Sequence, residues 1–180
     1  MTILEIGPGR GDFLFWLYEN YPTSEIHAIE YKRKRFEKLK VRLEKRLINS
    51  DRIYLGDARL VMPEVFSPES LDDIYILFSD PWPKRKHAKN RVIQSSFIDD
   101  IYKVLKPDGR VIIAHDDPRY VEWIQKLFQL NINQFTYSDE ILPFLTFYAD
   151  KWKKEGRILK AFSYRKIYPI FSCRSVEILF

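Results

Sequence analysis

Cysteine is nearly missing from this 180-residue chain. Cys173 stands alone, so no intramolecular disulfide can form, and a reducing, cytoplasmic setting is expected. Metal-ligand spacing is missing too: the histidines and the lone cysteine form no cluster of the kind that holds zinc, and no metal is expected. No apolar run approaches the roughly 20 residues that cross a bilayer, and the N-terminus lacks the charged-then-apolar pattern of a secretory leader. The expectation is a soluble protein without a membrane partner. Repeats, low-complexity tracts and linkers are lacking as well, so residues 1–180 read as one domain, at a length that supports one full core and not two.

What is present is a large apolar fraction, 46% of residues with 16% aromatic, enough to bury a substantial core. Thirty Lys and Arg against twenty-five Asp and Glu leave a formal charge of +5. That moderate excess is compatible with a polyanionic partner and does not by itself require one.

Periodicity supplies the architecture. Thr2–Ile6 is a short β-rich run that ends in Gly7-Pro8-Gly9-Arg10-Gly11, a buried strand entering a glycine turn. Phe13, Leu14, Leu17, Tyr18 and Tyr21 then recur at helical spacing until Pro22. Strands are expected at Ile26–Glu30, Arg52–Leu55, Asp73–Phe78 and Arg110–Ala114, the last after a turn at Lys106-Pro107-Asp108-Gly109. Helices are expected with Phe36, Leu39, Leu43 and Leu47 on one face, from about Val92 to Leu105, and from about Pro118 to Leu130. Strands alternating with helices imply a doubly wound, mostly parallel α/β sheet. The C-terminal part predicts a weak strand near Phe135–Tyr137, a helix from Thr146 to Glu155 and a strand at Leu159–Arg165, giving seven strands with an antiparallel edge.

The chemistry concentrates at the strand ends. The G-x-G-x-G spacing of Gly7, Gly9 and Gly11 serves equally as a tight turn or as a place where a ligand approaches the backbone. Glu30 closes the second strand, where a carboxylate can accept from both hydroxyls of a ribose. Asp57, in Gly56-Asp57-Ala58, can accept from an adenine amino group. Singly, Glu30 reads as a solvated strand end and Asp57 as a helix cap; together they favour a nucleoside-bearing cofactor. Between Phe78 and Arg91 the chain reads FSDPWPKRKHAKNR, one carboxylate followed by a dense basic run.

Glu5-Ile6-Gly7-Pro8-Gly9-Arg10-Gly11, Glu30 and Gly56-Asp57-Ala58 resemble the S-adenosylmethionine-binding half of the Rossmann-like methyltransferases. FSDPWPKRKHAKNR is similar to the signature of the bacterial tRNA (guanine-N7-)-methyltransferases, and the similarity runs from Thr2 to about Arg165, leaving residues 167–180 as an extension. The resemblance implies that Glu5, Gly7, Gly9, Gly11, Glu30, Asp57, Ala58 and Asp80 meet S-adenosylmethionine and that tRNA is the substrate. It implies N7 methylation of a guanine in the variable loop, with Asp80 as the catalytic residue. Guanine N7 already carries a free lone pair, so the work left is positioning and electrostatics, which one carboxylate can supply. Lys84, Arg85, Lys86, His87, Lys89 and Arg91 become an RNA-facing strip. Asp116, Tyr120 and Thr146 become substrate contacts, with Asp116 or Asp117 as the cap of the following helix. Trp82 reads first as a core aromatic, and the second basic run, Lys32–Arg46, as the solvated face of a helix.

Three departures from that family pattern stand out. Ser79 occupies the position of a proline. Ala149 stands three residues after Thr146, where the family pattern has the Glu of a T-x-x-E capping box, with Asp150 one residue out of phase. The helix and basic segment that precede the first strand in such relatives have no counterpart here, so the expectation is weaker activity, in a monomer, or dependence on a partner subunit, or else a truncated form of the sequence. An exocyclic-amine methyltransferase is disfavoured, because Asp80-Pro81-Trp82-Pro83 reverses the order that such enzymes use. A non-catalytic RNA-binding module with a relict methyltransferase fold is the remaining alternative.

Overall fold

The computed structural model describes residues 1–131, 133–144 and 146–168. The apolar tail read in the sequence, apart from Ile167 and Tyr168, lies outside the described residues, as does Cys173.

Thr2–Ile6 forms β1, Glu25–Glu30 β2, Ile53–Leu55 β3, Leu71–Leu77 β4, Leu105–His115 β5, Phe135–Asp139 β6 and Lys160–Lys166 β7. The helices between them are α1 (Asp12–Asn20), α2 (Arg33–Glu44), α3 (Ala58–Val65), α4 (Ser95–Val104), α5 (Pro118–Gln129) and α6 (Phe147–Lys154). One seven-stranded sheet results, ordered β3-β2-β1-β4-β5-β7-β6. The first five strands are mutually parallel, and β7 runs antiparallel to both β5 and β6. The chain builds outward from β1 to β3, then crosses back to β4. The C-terminal ends of β1 and β4 therefore flank the reversal of strand order, where an open α/β sheet offers a crevice.

The two-residue side-chain period of a strand sorts the core into two layers. Leu4, Ile6, Ile74, Ile76, Val111 and Ile113 join Met62, Phe97, Ile101, Ile124 and Phe128 on the face covered by α3, α4 and α5. Ile3, Ala28, Tyr75, Leu77 and Ile112 join Phe13, Leu14, Leu17, Leu39 and Leu43 on the face covered by α1 and α2. Glu5 shares the parity of Ile3, so its carboxyl lies on the α1 side of β1.

Three elements differ from the sequence expectation. Helix α2 ends at Glu44, so Leu47, expected on its apolar face, lies beyond it at φ 58° and is exposed. The helix α3 has no forecast counterpart, because Pro63 sits inside its eight residues and interrupts the periodic signal; Asp57 nevertheless caps it by accepting from Arg59 N–H at 3.0 Å. The expected turn at Lys106–Gly109 is absorbed into β5: Leu71 pairs with Leu105 and Asp73 with Arg110, so the intervening residues bulge from a continuous strand. Gly109 is needed there, since a Cβ would stand 2.9 to 3.1 Å from three backbone carbonyl oxygens.

Candidate functional site

The glycine turn between β1 and α1 holds all three of its glycines at positive φ, 76° at Gly7, 57° at Gly9 and 81° at Gly11, a region open to glycine at little cost. Gly7 N–H donates to Ile29 O at 2.9 Å and Gly11 N–H to Pro8 O at 2.7 Å. What a side chain would meet separates their roles. A Cβ at Gly7 would point into open space, and one at Gly9 would find only a carbonyl oxygen at 3.9 Å. At Gly11 it would strike Leu39 Cδ1 at 2.4 Å and the Phe15 ring at 3.3 Å. Gly7 and Gly9 leave a cradle, whereas Gly11, grouped with them on sequence, is there so that α1 and α2 can approach.

Glu30 pins this turn to β2. One carboxylate oxygen accepts Gly9 N–H at 3.1 Å, and the other accepts Lys32 N–H at 2.8 Å. The side chain is buried, not the solvated strand end its position suggested; its unused lone pairs still face the crevice-forming turn.

Glu5 is the electrostatic anomaly. It is 3% exposed, and Oε2 has no hydrogen-bond partner among the described residues. Burial first, then the neighbouring charges of Asp12 and Glu30, push its pKa up to about 8. It lines a narrow crevice with Gly7, Gly9, Phe78 and Thr146. An orphaned buried carboxyl beside an open glycine cradle fits a ligand that carries positive charge and hydrogen-bond donors, as S-adenosylmethionine does. The crevice encloses only about 80 Å³, well under the roughly 300–1,000 Å³ of ligand sites. Near it, Lys32 Nζ lies 3.8 Å from Asp80 Oδ2, a pair with both side chains largely exposed.

Asp57 is less available than its position suggested. Besides capping α3 it takes the Arg59 guanidinium, Nη2 to Oδ2 at 2.5 Å, which holds its pKa below the usual carboxylate range. Accepting from an adenine amino group requires Arg59 to swing away. Ala58 is the buried first residue of α3.

Asp80 stands exposed beyond β4 on a loop with two non-glycine residues at positive φ, Phe78 at 54° and Trp82 at 42°. Such backbone costs of order 1–3 kcal/mol per residue and persists only where surroundings over-determine it. Here they do. Phe78 N–H donates to Ala114 O at 2.8 Å. His115 Nδ1 accepts Asp117 N–H at 2.9 Å, so Nε2 carries the proton and donates to Ser79 O at 2.8 Å. Arg91 Nε donates to Pro81 O at 2.8 Å and Nη2 to Trp82 O at 3.3 Å, while its guanidinium stacks 4.6 Å over the Trp123 ring. The loop is thus held from one side by β5 and from the other by Arg91.

Several assignments change as a result. Arg91, placed by sequence in the RNA-facing strip, is a loop brace. Tyr120, expected to touch substrate, is buried; its hydroxyl lies 3.4 Å from Ser79 Oγ and its ring meets His115 edge-on at 4.8 Å. Trp82, expected in the core, is 36% exposed against His87. His115 had no sequence signal beyond its position, yet it is the contact that ties Ser79 to the end of β5. Because burial lowers its pKa and its Nδ1 is already an acceptor, its 3.5 Å approach to Asp116 is not an ion pair. Asp117, not Asp116, caps α5, accepting from Arg119 N–H at 2.8 Å and Tyr120 N–H at 3.2 Å. Asp116 instead accepts Arg157 Nη1 at 2.6 Å.

The basic run coils into a 3-10 turn at Arg85–Asn90. Lys84, Arg85, Lys86 and Lys89 are exposed, with His87 half-buried, and no acid pairs with these lysines or with Arg85 among the described residues. At α6, Thr146 Oγ1 accepts Ala149 N–H at 3.2 Å, so half of the capping box survives. Ala149 is fully buried; Asp150, one residue on in the first turn of α6, keeps a half-exposed carboxylate that pairs with Lys154 at 2.7 Å.

Comparison with known proteins bears on this arrangement. A family described as "Putative methyltransferase" matches residues 1–161. A tRNA (guanine-N(7)-)-methyltransferase of Nitrosomonas europaea is 39% identical over 122 residues, 68% of this chain and 54% of its own. One from Corynebacterium jeikeium is 37% identical over 129 residues, 72% of this chain and 51% of its own. The chain spans about half the length of these curated relatives. Among solved structures, the PH0226 protein from Pyrococcus horikoshii aligns with a TM-score of 0.65 at 16% identity, covering 92% of this chain and 82% of that one. A SAM-dependent methyltransferase from Aquifex aeolicus aligns at 0.61 and 14% identity, covering 93% and 82%. At such identities the structures speak for the fold alone.

Proposed function

The chain belongs to the methyltransferase family that matches residues 1–161, and from that premise we propose that it transfers a methyl group from S-adenosylmethionine to N7 of a guanine in tRNA, in the variable loop and in the cytoplasm. The observation that carries this reading is the adjacency at one sheet edge of the open Gly7–Gly9 cradle, the orphaned Glu5 and the braced loop that presents Asp80. Relatives bearing that activity in their names match across 68 to 72% of the chain.

The cofactor supplies an electrophilic methyl on a sulfonium. Gly7 and Gly9 would let it approach the backbone, and Glu5, protonated in the ligand-free protein, would release that proton to solvent and accept hydrogen bonds from the cofactor's cationic group. Glu30 keeps the turn in place and has lone pairs left for ribose hydroxyls. N7 needs no base, so Asp80 has an orienting part: it accepts guanine's N1–H and amino hydrogens and favours the cationic purine that forms. The exposed Lys32–Asp80 pair is weak enough for a base to displace. Lys84, Arg85, Lys86 and Lys89 hold phosphates beside it.

One observation favours a second reading, a partner-dependent RNA-binding module. Asp116, the acid expected to meet substrate, is masked by Arg157. Incubating the protein with labelled S-adenosylmethionine and unmodified tRNA, then digesting and identifying the labelled nucleoside, separates the two. Labelled 7-methylguanosine is expected. Labelled 6-methyladenosine contradicts the reaction, and tRNA binding without label transfer establishes the second reading.

A further inference from the structure

We propose that the cleft between the glycine turn and α2 is a second RNA phosphate site, in which Arg35 and Lys38 bind the backbone of the same RNA whose base meets Asp80. The identity of the polyanion rests on the preceding reading; the site itself rests on charge and geometry.

Lys32–Arg46 carries nine Lys or Arg against Glu37 and Glu44, a pattern that sequence alone leaves as a solvated helix face. The structure separates those charges. Arg35, Lys38, Leu39 and Arg42 fall at i, i+3, i+4 and i+7, one face of a helix, and with Gly9 and Arg10 they line an open cleft of about 500 Å³. Leu39 anchors that face in the core. Arg42 is a fixed wall: it donates to Arg10 O, lies 3.5 Å from Asp12 and stacks 4.9 Å over Phe15. Arg35 and Lys38 are exposed and have no acidic partner among the described residues, Glu37 being 3.9 Å from Arg33. Four cations thus converge on one concavity where the single nearby acid, Asp12, is already shared between Arg10 and Arg42. A concave wall of one sign concentrates counter-ions far more than scattered surface charge does.

The cofactor does not match this cleft. S-adenosylmethionine bears one carboxylate against a sulfonium and an ammonium, so it cannot satisfy four cations. Arg35 to Arg42 spans about 10 Å at 1.5 Å per residue, more than a single phosphate covers. Position points to nucleic acid as well. Gly9, Arg10 and Arg35 border both this cleft and the Glu5 crevice, and Lys32, the residue before α2, reaches Asp80. A strand whose base enters at Asp80 therefore has the 85–90 turn on one side and the α2 stripe on the other.

The test is binding of unmodified tRNA to the full chain between 50 and 200 mM salt, by fluorescence anisotropy. Arg35→Ala/Lys38→Ala should bind more weakly, with the slope of log K against log salt shallower by about 1.4 to 1.8, the loss of two phosphate contacts. Lys34→Ala/Lys45→Ala removes equal charge outside the cleft and should keep the slope; equal losses from both pairs overturn the site in favour of diffuse attraction. Lys38→Ala should retain S-adenosylmethionine affinity, and losing it overturns the assignment to RNA. Saturable binding of inorganic phosphate that Arg35→Ala/Lys38→Ala abolishes, with the tRNA slope unchanged, overturns it in favour of a free-phosphate site. If the wild type methylates tRNA while the double variant keeps its slope, this inference alone fails. If the wild type transfers no methyl yet the slope falls in the variant, the catalytic reading fails and the phosphate site stands.

Discussion

Glu5 and His115 are buried ionisable groups of opposite tendency, and each makes a pH signature. The Glu5 pKa rises from 4.5 to about 8 on folding, so the folded protein holds a proton that the unfolded chain has released. Its contribution to stability is complete below pH 4.5 and is lost as pH climbs toward about 8. Glu5→Gln should flatten that decline, read by denaturant unfolding across the range; an unchanged pH slope means the carboxyl is not the source. His115 works in reverse. Burial lowers its pKa from 6.5, so stability is full at higher pH and falls as pH drops below 6.5, where the unfolded imidazole binds a proton first. Protonation also removes the acceptor for Asp117 N–H. His115→Ala leaves Ser79 O and Asp117 N–H without their partner, which should cost about 1–3 kcal/mol. It should also lower the rate of methyl transfer at saturating cofactor while leaving cofactor affinity intact; lost cofactor affinity would move His115 from the loop to the cradle.

The glycine turn and the Asp80 loop are the elements that turn a common sheet into a site, and they divide their residues between packing and ligand. Gly11→Ala and Gly7→Ala test that division. Both place a Cβ at positive φ, which costs roughly 1–2 kcal/mol. At Gly11 the new atom also meets Leu39 at 2.4 Å, so overpacking adds about 1–3 kcal/mol and the melting temperature should fall furthest there. Gly7→Ala faces open space and should lose cofactor affinity with the smaller loss of stability. A reversed order of melting temperatures would overturn the division. Only part of this was legible in the residues. The G-x-G-x-G spacing marks a turn, but it does not say which glycine faces a ligand, because that depends on where Leu39, 28 positions on, comes to rest. The bracing of the Asp80 loop was hidden for the same reason: His115 and Arg91 reach it from other elements, and no local pattern records such contacts.

Across the whole molecule, strand alternation carried the parallel half of the sheet because each buried strand is a short apolar run between turns. The C-terminal antiparallel pair was legible from the alternation in Leu159–Arg165. The helix α3 is legible only in its Asp57 cap, because Pro63 breaks its period, and the β5 bulge reads as a turn because Lys106-Pro107-Asp108-Gly109 has turn chemistry while its neighbours keep the ladder. At the site, the acid, the cradle and the basic turn were visible in sequence. Arg91, Tyr120 and Gly11, which the family resemblance assigns to ligands, are engaged by packing instead: Arg91 on the Asp80 loop, Tyr120 against Ser79 and His115, Gly11 against Leu39. The proposed function rests on a division of labour in which the cradle with Glu5 serves the cofactor, the exposed cations the RNA, and Asp80 the base. Single-turnover methyl transfer by Asp80→Ala, with S-adenosylmethionine and tRNA both saturating, tests it most directly. A rate reduced about 10²- to 10³-fold, the usual scale for losing one electrostatic partner of a transition state, with both ligands still bound, is the predicted result. A rate equal to that of the wild-type protein under those conditions would contradict it.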